Sequence, residues 1–314
     1  MNRQNQFICM AMIVMIVALM VLLSELTGER EILFPEIAAI AVGMLFAPKR
    51  AWRTNRLRVL LLISLSAAAG LFISVFLPNP LWVKMSLAFL VAQGILAVSG
   101  TGFAPMISAA VLPVMLGTKS GVYLAAAIGL TVVILLVSFV LEKLGFRAPE
   151  PFEPLPAPDR TILRRTALKC VLGSLCIFLA VSLNARFAVA PPMLVAFTEF
   201  MNPENKAKDH PARAVLLIGL CALAGALCRL IFTVRLGLPL TVSAVIACVI
   251  LLFLLQRFSL YLPPAAAITV LAMLIPEESL ALYPAQVLAG TFVLMGIAVA
   301  TDSLRRTGLP IHHT

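Results

Sequence analysis

The sequence predicts an all-α fold: a polytopic bundle of transmembrane helices with about twelve membrane segments in two parallel six-segment repeats, including short proline-broken helices. Apolar residues make up 61% of the 314 residues and charged residues only 12%, whereas a soluble domain carries about 25% charged residues. The mean hydropathy is +1.05. Because the apolar residues come in long blocks instead of on one helix face, the composition indicates lipid as the surrounding solvent.

Twelve apolar segments follow one another along the chain. No small-residue cleavage site follows the first, so we expect a membrane helix there and not a removed signal peptide. Four others have only about 15 to 17 residues, at or below the usual lower limit of about 17 for a full span. Each of these contains proline, which fits kinked spans or re-entrant half-helices. The longer segments are 7–24, 59–77, 81–98, 120–141, 166–183, 213–233, 238–256 and 284–301, and the short ones are 33–47, 102–116, 187–201 and 260–276.

The distribution of Lys and Arg favours crossing by all twelve segments. With a cytoplasmic N-terminus, the basic clusters at 49–58, 143–169 and 206–213 all lie on the cytoplasmic side, as the positive-inside rule describes. Only failures to cross in pairs would preserve this bias. It also accounts for the net charge of +10 without nucleic acid, for which no basic and aromatic strip is present. We therefore predict a multi-pass protein of the cytoplasmic (inner) membrane with both termini in the cytoplasm.

The two halves of the chain show the same order of short and long segments. Such a recurring order indicates duplication, and six segments per half relates the halves by an axis along the membrane normal. The predicted divisions are a first repeat (1–143), a Pro-rich cytoplasmic linker (144–165), a second repeat (166–302) and a cytoplasmic tail (303–314). The matched residues are Pro35 with Pro191, Pro48 with Pro203, Gly70 with Gly225, Pro105 with Pro264, and Tyr123 with Tyr283.

Three glycines stand among alanines within the apolar segments: Gly70, Gly225 and Gly290. Small residues let membrane helices approach one another closely. We predict close contacts between helices at these glycines and no chemical role for them.

In the second half, the motif helix LYLPPAAAITVLAML follows the loop NPENKAKDHPARA and precedes YPAQVLAGTFVLMGIAV. On these motifs, residues 187–301 resemble the HPP family of integral membrane proteins, named for a His-Pro-Pro motif. Pro263 and Pro264 match its prolines, while Leu262 stands where the family has its histidine. Some members are described as nitrite transporters, so the resemblance implies transport of a small anion, although the missing histidine leaves the substrate open.

The segment RRTALKCVLGSLCIFLAV, together with the pairing of short proline-containing segments and Gly-rich helices, carries a second and weaker resemblance. It is similar to the fusaric-acid-resistance and aromatic-acid exporter families. That resemblance implies an efflux component, although those families usually carry a sizeable cytoplasmic region that this chain lacks.

Charged residues inside apolar segments are functional candidates, because charge is costly in hydrocarbon. Lys84 and Arg229 lie near the outer ends of their segments, where long side chains can snorkel to the interface. The alternative is an outer-facing cluster in which Glu36 pairs with one of them. Glu199 lies near the cytoplasmic end of its segment, either as an interfacial acid beside the loop bases or in a solute path.

Prolines in the short segments suggest a second type of site. Proline inside a helix frees a backbone carbonyl one turn earlier, and broken helices in matching repeats often flank a transporter's substrate. A kink that only serves packing explains the same pattern. The candidates are Pro35, Pro105, Pro191, Pro263 and Pro264, with the nearby hydroxyls of Thr101, Ser108 and Thr269.

The predicted function is a permease or channel for a small solute, with a small anion as one candidate. The alternatives are a non-transporting membrane scaffold or assembly factor and an exporter-like efflux component. No HExxH, Ser/His/Asp set or phosphate loop is present, and all six cysteines lie in apolar segments, so we expect no enzyme, metal or cofactor. The expected partners are the lipid bilayer and the solute, and a homo-oligomer is left open.

Overall fold

The computed structural model describes residues 3–202 and 205–307, without the side chains of 206 and 305–307. This part of the chain contains helices and no strand, and one α-helix overlaps each of the twelve predicted segments, with ends that differ by several residues in places. Pro203, His312 and His313 lie outside the described residues. The helices are α1 Arg3–Thr27, α2 Glu36–Ala41, α3 Arg56–Phe76, α4 Leu81–Val98, α5 Pro105–Leu116, α6 Val122–Lys143, α7 Arg160–Ser182, α8 Pro191–Phe200, α9 Pro211–Cys228, α10 Leu240–Phe258, α11 Pro263–Leu271 and α12 Tyr283–Thr307.

Six short helical stretches complete this outline. The α2 helix continues into a π-helical turn at Val42–Phe46, and α9 continues into another at Arg229–Arg235. The remaining four are 3₁₀ turns, at Arg30–Ile32, Arg186–Val189, Lys206–Asp209 and Glu277–Ser279.

Among the described residues, eight helices are long and apolar enough to cross a membrane: α1, α3, α4, α6, α7, α9 with its π-helical extension, α10 and α12. Their outer faces carry large apolar side chains that no other part of the molecule covers. Phe7 and Phe292, for example, are each 72% exposed. Such a surface suits hydrocarbon and not water, and the protein is therefore a multi-pass membrane protein by length and composition of its helices.

The four short helices, α2, α5, α8 and α11, form the core of the bundle. Every residue of α2 and α11 is buried, and α5 and α8 each expose only one residue in part or in full, Leu116 and Glu199. The four contact one another in a closed order, α2 with α11, α11 with α8, α8 with α5, and α5 with α2. A helix that is apolar on all sides has to be covered by other helices, and the eight long helices provide that cover.

The contacts of the long helices occur in matching pairs. The α1 helix packs against α10, and α7 packs against α4, so the first helix of each half lies on the fourth helix of the other half. Likewise α3 packs on α5 and α6, as α9 packs on α11 and α12.

The predicted close approaches at glycine are confirmed. A Cβ atom added to Gly70 would lie 2.1 Å from the carbonyl oxygen of Ala110, and one at Gly225 would lie 2.3 Å from that of Thr269. At Gly290 the corresponding distance to the Ala188 carbonyl oxygen is 2.1 Å. Only a residue without Cβ allows these backbones to come so close.

The linker between the halves is tied to the loops beside it. The backbone N–H of Leu155 donates to the Gly100 carbonyl at 2.8 Å, and the guanidinium of Arg58 lies 4.9 Å from the centre of the Phe152 ring. The linker is also shorter than predicted, because residues 160–165 already belong to α7. Asp159 begins that helix by accepting from the Ile162 N–H at 2.7 Å, as an N-cap residue does.

Candidate functional site

An open cavity of about 210 Å³ lies between α4, α5, α7 and α8, and the linker forms part of its wall. We call it the polar cavity, because polar side chains project into a space that also has apolar walls at Leu96, Ala97 and Met201. The linker contributes Leu155 and Pro156. The polar residues of the lining are Gln93, Thr101, Arg165, Thr166, Lys169, Thr198, Glu199 and Asn202.

A buried amide and a hydroxyl meet in the wall of the polar cavity. Gln93 is only 2% exposed, although it lies in the apolar helix α4. Its Nε2 donates to the Thr198 hydroxyl oxygen at 2.6 Å, and this hydroxyl donates to the Leu194 carbonyl at 2.9 Å. Buried polar groups require such partners. The pair therefore places a fixed polar patch between α4 and α8.

The acidic group of the polar cavity is positioned by the other half of the chain. Oε1 of Glu199 accepts from the indole N–H of Trp52 at 2.8 Å. Trp52 is 6% exposed, and its ring packs edge-on against Phe103 at 5.3 Å between centroids. Because Trp52 is held on both sides, the orientation of the Glu199 carboxyl group is fixed as well.

Two cations on one face of α7 line the polar cavity. Arg165 and Lys169 are four residues apart, which brings both to the same side of a helix, and both are partly buried. Within the described part of the chain neither has an acidic partner within 4.0 Å. They also line an adjoining cavity of about 60 Å³, where Lys208 lies 3.4 Å from Asp302. Three basic side chains and two acidic ones, Glu199 and Asp302, thus line the two adjoining cavities.

The turn between α4 and α5 completes the wall. The hydroxyl oxygens of Ser99 and Thr101 are 2.9 Å apart, and the Thr101 hydroxyl accepts from the Phe103 N–H at 3.3 Å. Of the three hydroxyl residues expected near a site, Thr101 lines the polar cavity, whereas Ser108 and Thr269 do not.

The structure contradicts the alternative of an outer cluster in which Glu36 pairs with Lys84 or Arg229. Among the described residues, Glu36 forms no ion pair with Lys84 or Arg229. It is 1% exposed and accepts a hydrogen bond from the Ser108 hydroxyl. Lys84 is partly buried near the start of α4, and none of the three lines the polar cavity. Of the four charged candidates, only Glu199 lies at this site.

Arg229 has a structural task at a helix end. Its Nη1 donates to the carbonyls of Ala272, at 2.8 Å, and Ile275, at 2.5 Å. These carbonyls lie just beyond α11, where the last groups of a helix lack intrahelical partners. Arg229 is 8% exposed, so its side chain is enclosed by the helices around this end of α11.

The candidate prolines begin their helices and do not break them, so the predicted freeing of a carbonyl by these prolines is wrong. Pro35 directly precedes α2, and the others stand in the first turn of α5, α8 and α11. There proline has no hydrogen bond to lose, so no carbonyl is freed. Only Pro113, within α5, is inside a described helix beyond its first turn. None of the candidates, Pro35, Pro105, Pro191, Pro263 or Pro264, lines the polar cavity.

Sequence reasoning missed most of the site. Gln93, Trp52, Arg165 and Lys169 were not candidates, since each lies in a different part of the chain from Glu199. One signal was present: a lone Gln in the apolar run LAFLVAQGILAV has to find a partner in the interior.

Comparison with known proteins adds no assignment to this geometry. The resemblance to the HPP family, and the weaker one to the exporter families, therefore stay predictions, and function has to be argued from the site itself. No protein-family model, curated protein or solved structure matches the chain.

Proposed function

We propose that the protein is a permease of the cytoplasmic membrane for a small solute, with a small anion as its substrate. The observation that carries this proposal is the polar cavity with Arg165 and Lys169, two cations that have no acidic partner within the described residues. Unpaired cations in a partly enclosed site favour an anionic ligand, because the ligand supplies the missing countercharge.

The layout belonging to this proposal is twelve membrane segments in two parallel six-segment repeats, with the N-terminus in the cytoplasm. Matching side chains support it. The hydroxyls of Tyr123 and Tyr283 donate to the carbonyls of Ala109, at 2.8 Å, and Ile268, at 2.6 Å. Each tyrosine lies near the start of the last helix of a half, and each binds the fifth helix of that half, α5 or α11.

A second matching pair of side chains donates hydrogen bonds to carbonyls near the C-terminal ends of the same two short helices. In the first half the Ser74 hydroxyl donates to the Pro113 carbonyl at 3.2 Å. In the second half Arg229 plays the corresponding part toward Ala272. The paired contacts of the long helices agree with this correspondence, since α1 on α10 mirrors α7 on α4. In this orientation the polar cavity opens toward the cytoplasm.

The residues of the polar cavity have two different roles in binding the anion. Arg165 and Lys169 attract the anion and partly replace its hydration, while Gln93 and Thr198 give a polar surface at fixed positions. The four short helices lie between this cavity and the opposite side of the bundle. Transport therefore requires a rearrangement of these helices that closes the cytoplasmic mouth and opens the other side, as in alternating access.

Flux of nitrate into liposomes tests the proposal. Purified protein should pass nitrate faster than empty liposomes, and the double variant Arg165→Gln/Lys169→Gln should lower the rate about tenfold at low ionic strength, within the range of electrostatic steering. High salt should reduce the difference, since it screens exposed charge. Arg164→Gln is the matched control, because Arg164 is an exposed neighbour on α7 that does not line the cavity.

Two results would contradict the proposal. One is liposomes as tight as empty controls toward nitrate, nitrite, chloride and benzenesulfonate. The other is a flux that the Arg164→Gln variant and the double variant lower to the same extent, because the charge of α7 in general, and not the cavity, would then determine the rate.

A further inference from the structure

Glu36 is an acidic residue enclosed in the core of the bundle, away from the polar cavity. It is the first residue of α2 and is 1% exposed. One carboxyl oxygen, Oε1, accepts from the hydroxyl of Ser108 on α5. The other, Oε2, is buried and has no hydrogen-bond partner. The proposed anion-binding site does not involve Glu36.

The elements around Glu36 provide no countercharge. The α2 helix packs against α1, α5, α6 and α11. Neither α5 nor α11 contains a titratable residue. On α6, Tyr123 faces Glu36 and already donates to the Ala109 carbonyl, while Glu142 and Lys143 stand at the far end of that helix.

The remaining neighbour, α1, contains Arg3 and Glu25 toward its ends and Cys9 between them. Cys9 lies close to Arg147. Glu25 accepts from the backbone N–H groups of Leu240 and Thr241 on the surface. Among the described residues, therefore, no cation balances a negative charge on Glu36.

This environment favours the neutral acid but permits both protonation states. A buried carboxylate with one hydrogen bond and no cation is strongly disfavoured relative to its protonated form. The partner suits either state, because a serine hydroxyl donates to a carboxylate and accepts from a carboxylic acid. The group can therefore change its protonation without losing its contact with Ser108.

The pair lies near the polar cavity along α5. Ala104 lines the polar cavity, and Ser108 follows it by four residues, about 6 Å along the helix axis. The hydroxyl that binds Glu36 is therefore on a residue about one helical turn away from the cavity wall.

We propose that Glu36 is a proton-binding site inside the membrane and that it takes up and releases one proton in each transport cycle. On uptake, a proton from water forms an O–H bond with the carboxylate, and on release the same bond breaks, so no other reactant is required. The protonation of Glu36 stands by itself, whereas its coupling to transport rests on the proposed permease function.

Infrared spectroscopy of the purified full-length protein tests the protonation. The wild-type protein at neutral pH should show a carbonyl band of a protonated carboxylic acid that is missing in Glu36→Gln. Ser108→Ala should keep this band and shift it, because the hydrogen bond to it is lost, and Glu36→Asp should restore an acid band. Identical spectra for the wild type and Glu36→Gln in this region would overturn the inference.

A pH dye enclosed in liposomes tests the coupling. When a nitrate gradient is applied, the wild-type protein should change the internal pH, and Glu36→Gln should reduce this change at least about tenfold while nitrate-for-nitrate exchange persists, since the substitution stops net proton transfer only. Nitrate flux with the same pH change in both proteins would overturn the coupling and leave the permease function standing. Absence of any nitrate flux in both proteins would instead reject the permease function, and the infrared comparison would then decide the protonation alone.

Discussion

Substitution of Gly70 by alanine should destabilise the protein by pushing two core helices apart. The added Cβ would lie 2.1 Å from the carbonyl oxygen of Ala110 and 2.7 Å and 2.8 Å from its carbonyl carbon and Cα. All three atoms are backbone, so no rotation of a side chain relieves the contact. Since ordinary contact begins near 3.4 Å, α3 and α5 have to separate by about 1 Å and lose packing along their shared surface.

We expect a loss of about 2–3 kcal/mol in the free energy of unfolding, the upper part of the range for overpacked cores. Reversible unfolding in mixed micelles, with a rising fraction of sodium dodecyl sulfate and circular dichroism as the signal, measures this quantity. A shift of the midpoint with unchanged slope reports stability alone.

Two further glycines give a graded control. Gly129→Ala places its Cβ in open space and should be neutral or stabilising by up to about 1 kcal/mol, because alanine favours helix. Gly219→Ala meets the Leu288 Cδ1 at 2.8 Å, and this flexible end can turn away at a cost below about 1 kcal/mol. If Gly70→Ala proved as stable as Gly129→Ala, the close approach of α3 and α5 would be refuted.

Two other substitutions test hydrogen bonds to α11, one at its C-terminal end and one in its middle. Arg229→Gln should lower the free energy of unfolding by about 1–3 kcal/mol, because the carbonyls of Ala272 and Ile275 lose a charged donor. Thermal unfolding in detergent measures this loss. A variant as stable as the wild type would rule out the capping role. Tyr283→Phe removes only the hydroxyl that donates to the Ile268 carbonyl and should cost about 1 kcal/mol in the same assay. A variant as stable as the wild type would contradict this hydrogen bond.

The helices of this fold were predictable because lipid imposes a simple rule on sequence. A spanning segment has to satisfy its backbone internally and present apolar side chains, so blocks of apolar residues predict helices directly. The close-packed glycines followed from the same reasoning, since Gly70 and Gly225 lie among other small residues and only small residues allow close approach.

The role of proline was mispredicted for a physical reason. Proline in the first turn of a helix and proline in its middle look the same inside a continuous apolar run, and the two differ only in where the helix begins. Pro263 and Pro264 begin α11 after Leu262, which has an extended backbone, whereas Pro113 lies within α5. The sequence has no polar residue at these boundaries to mark them.

The site was less predictable because its parts come from distant places in the chain. The indole of Trp52 binds Glu199, and Ser108 binds Glu36, yet neither pair is near in sequence. Charge alone suggested that Glu36 would find a cation, but burial next to a hydroxyl is an equally valid way to hold a neutral acid. Only the arrangement of the four short helices determines which of the two occurs.

The crossed packing of α1 on α10 and of α4 on α7 has a consequence for biosynthesis. During synthesis, α1 has no contact with its main partner α10 until the eight helices between them have been made, and α4 has none with α7 until α5 and α6 have been made. Until then their unmatched faces have to be covered by lipid or by a membrane chaperone. A chain that stopped after α6 would lack both partners, and two such fragments would be expected to associate by exchanging these helices with each other.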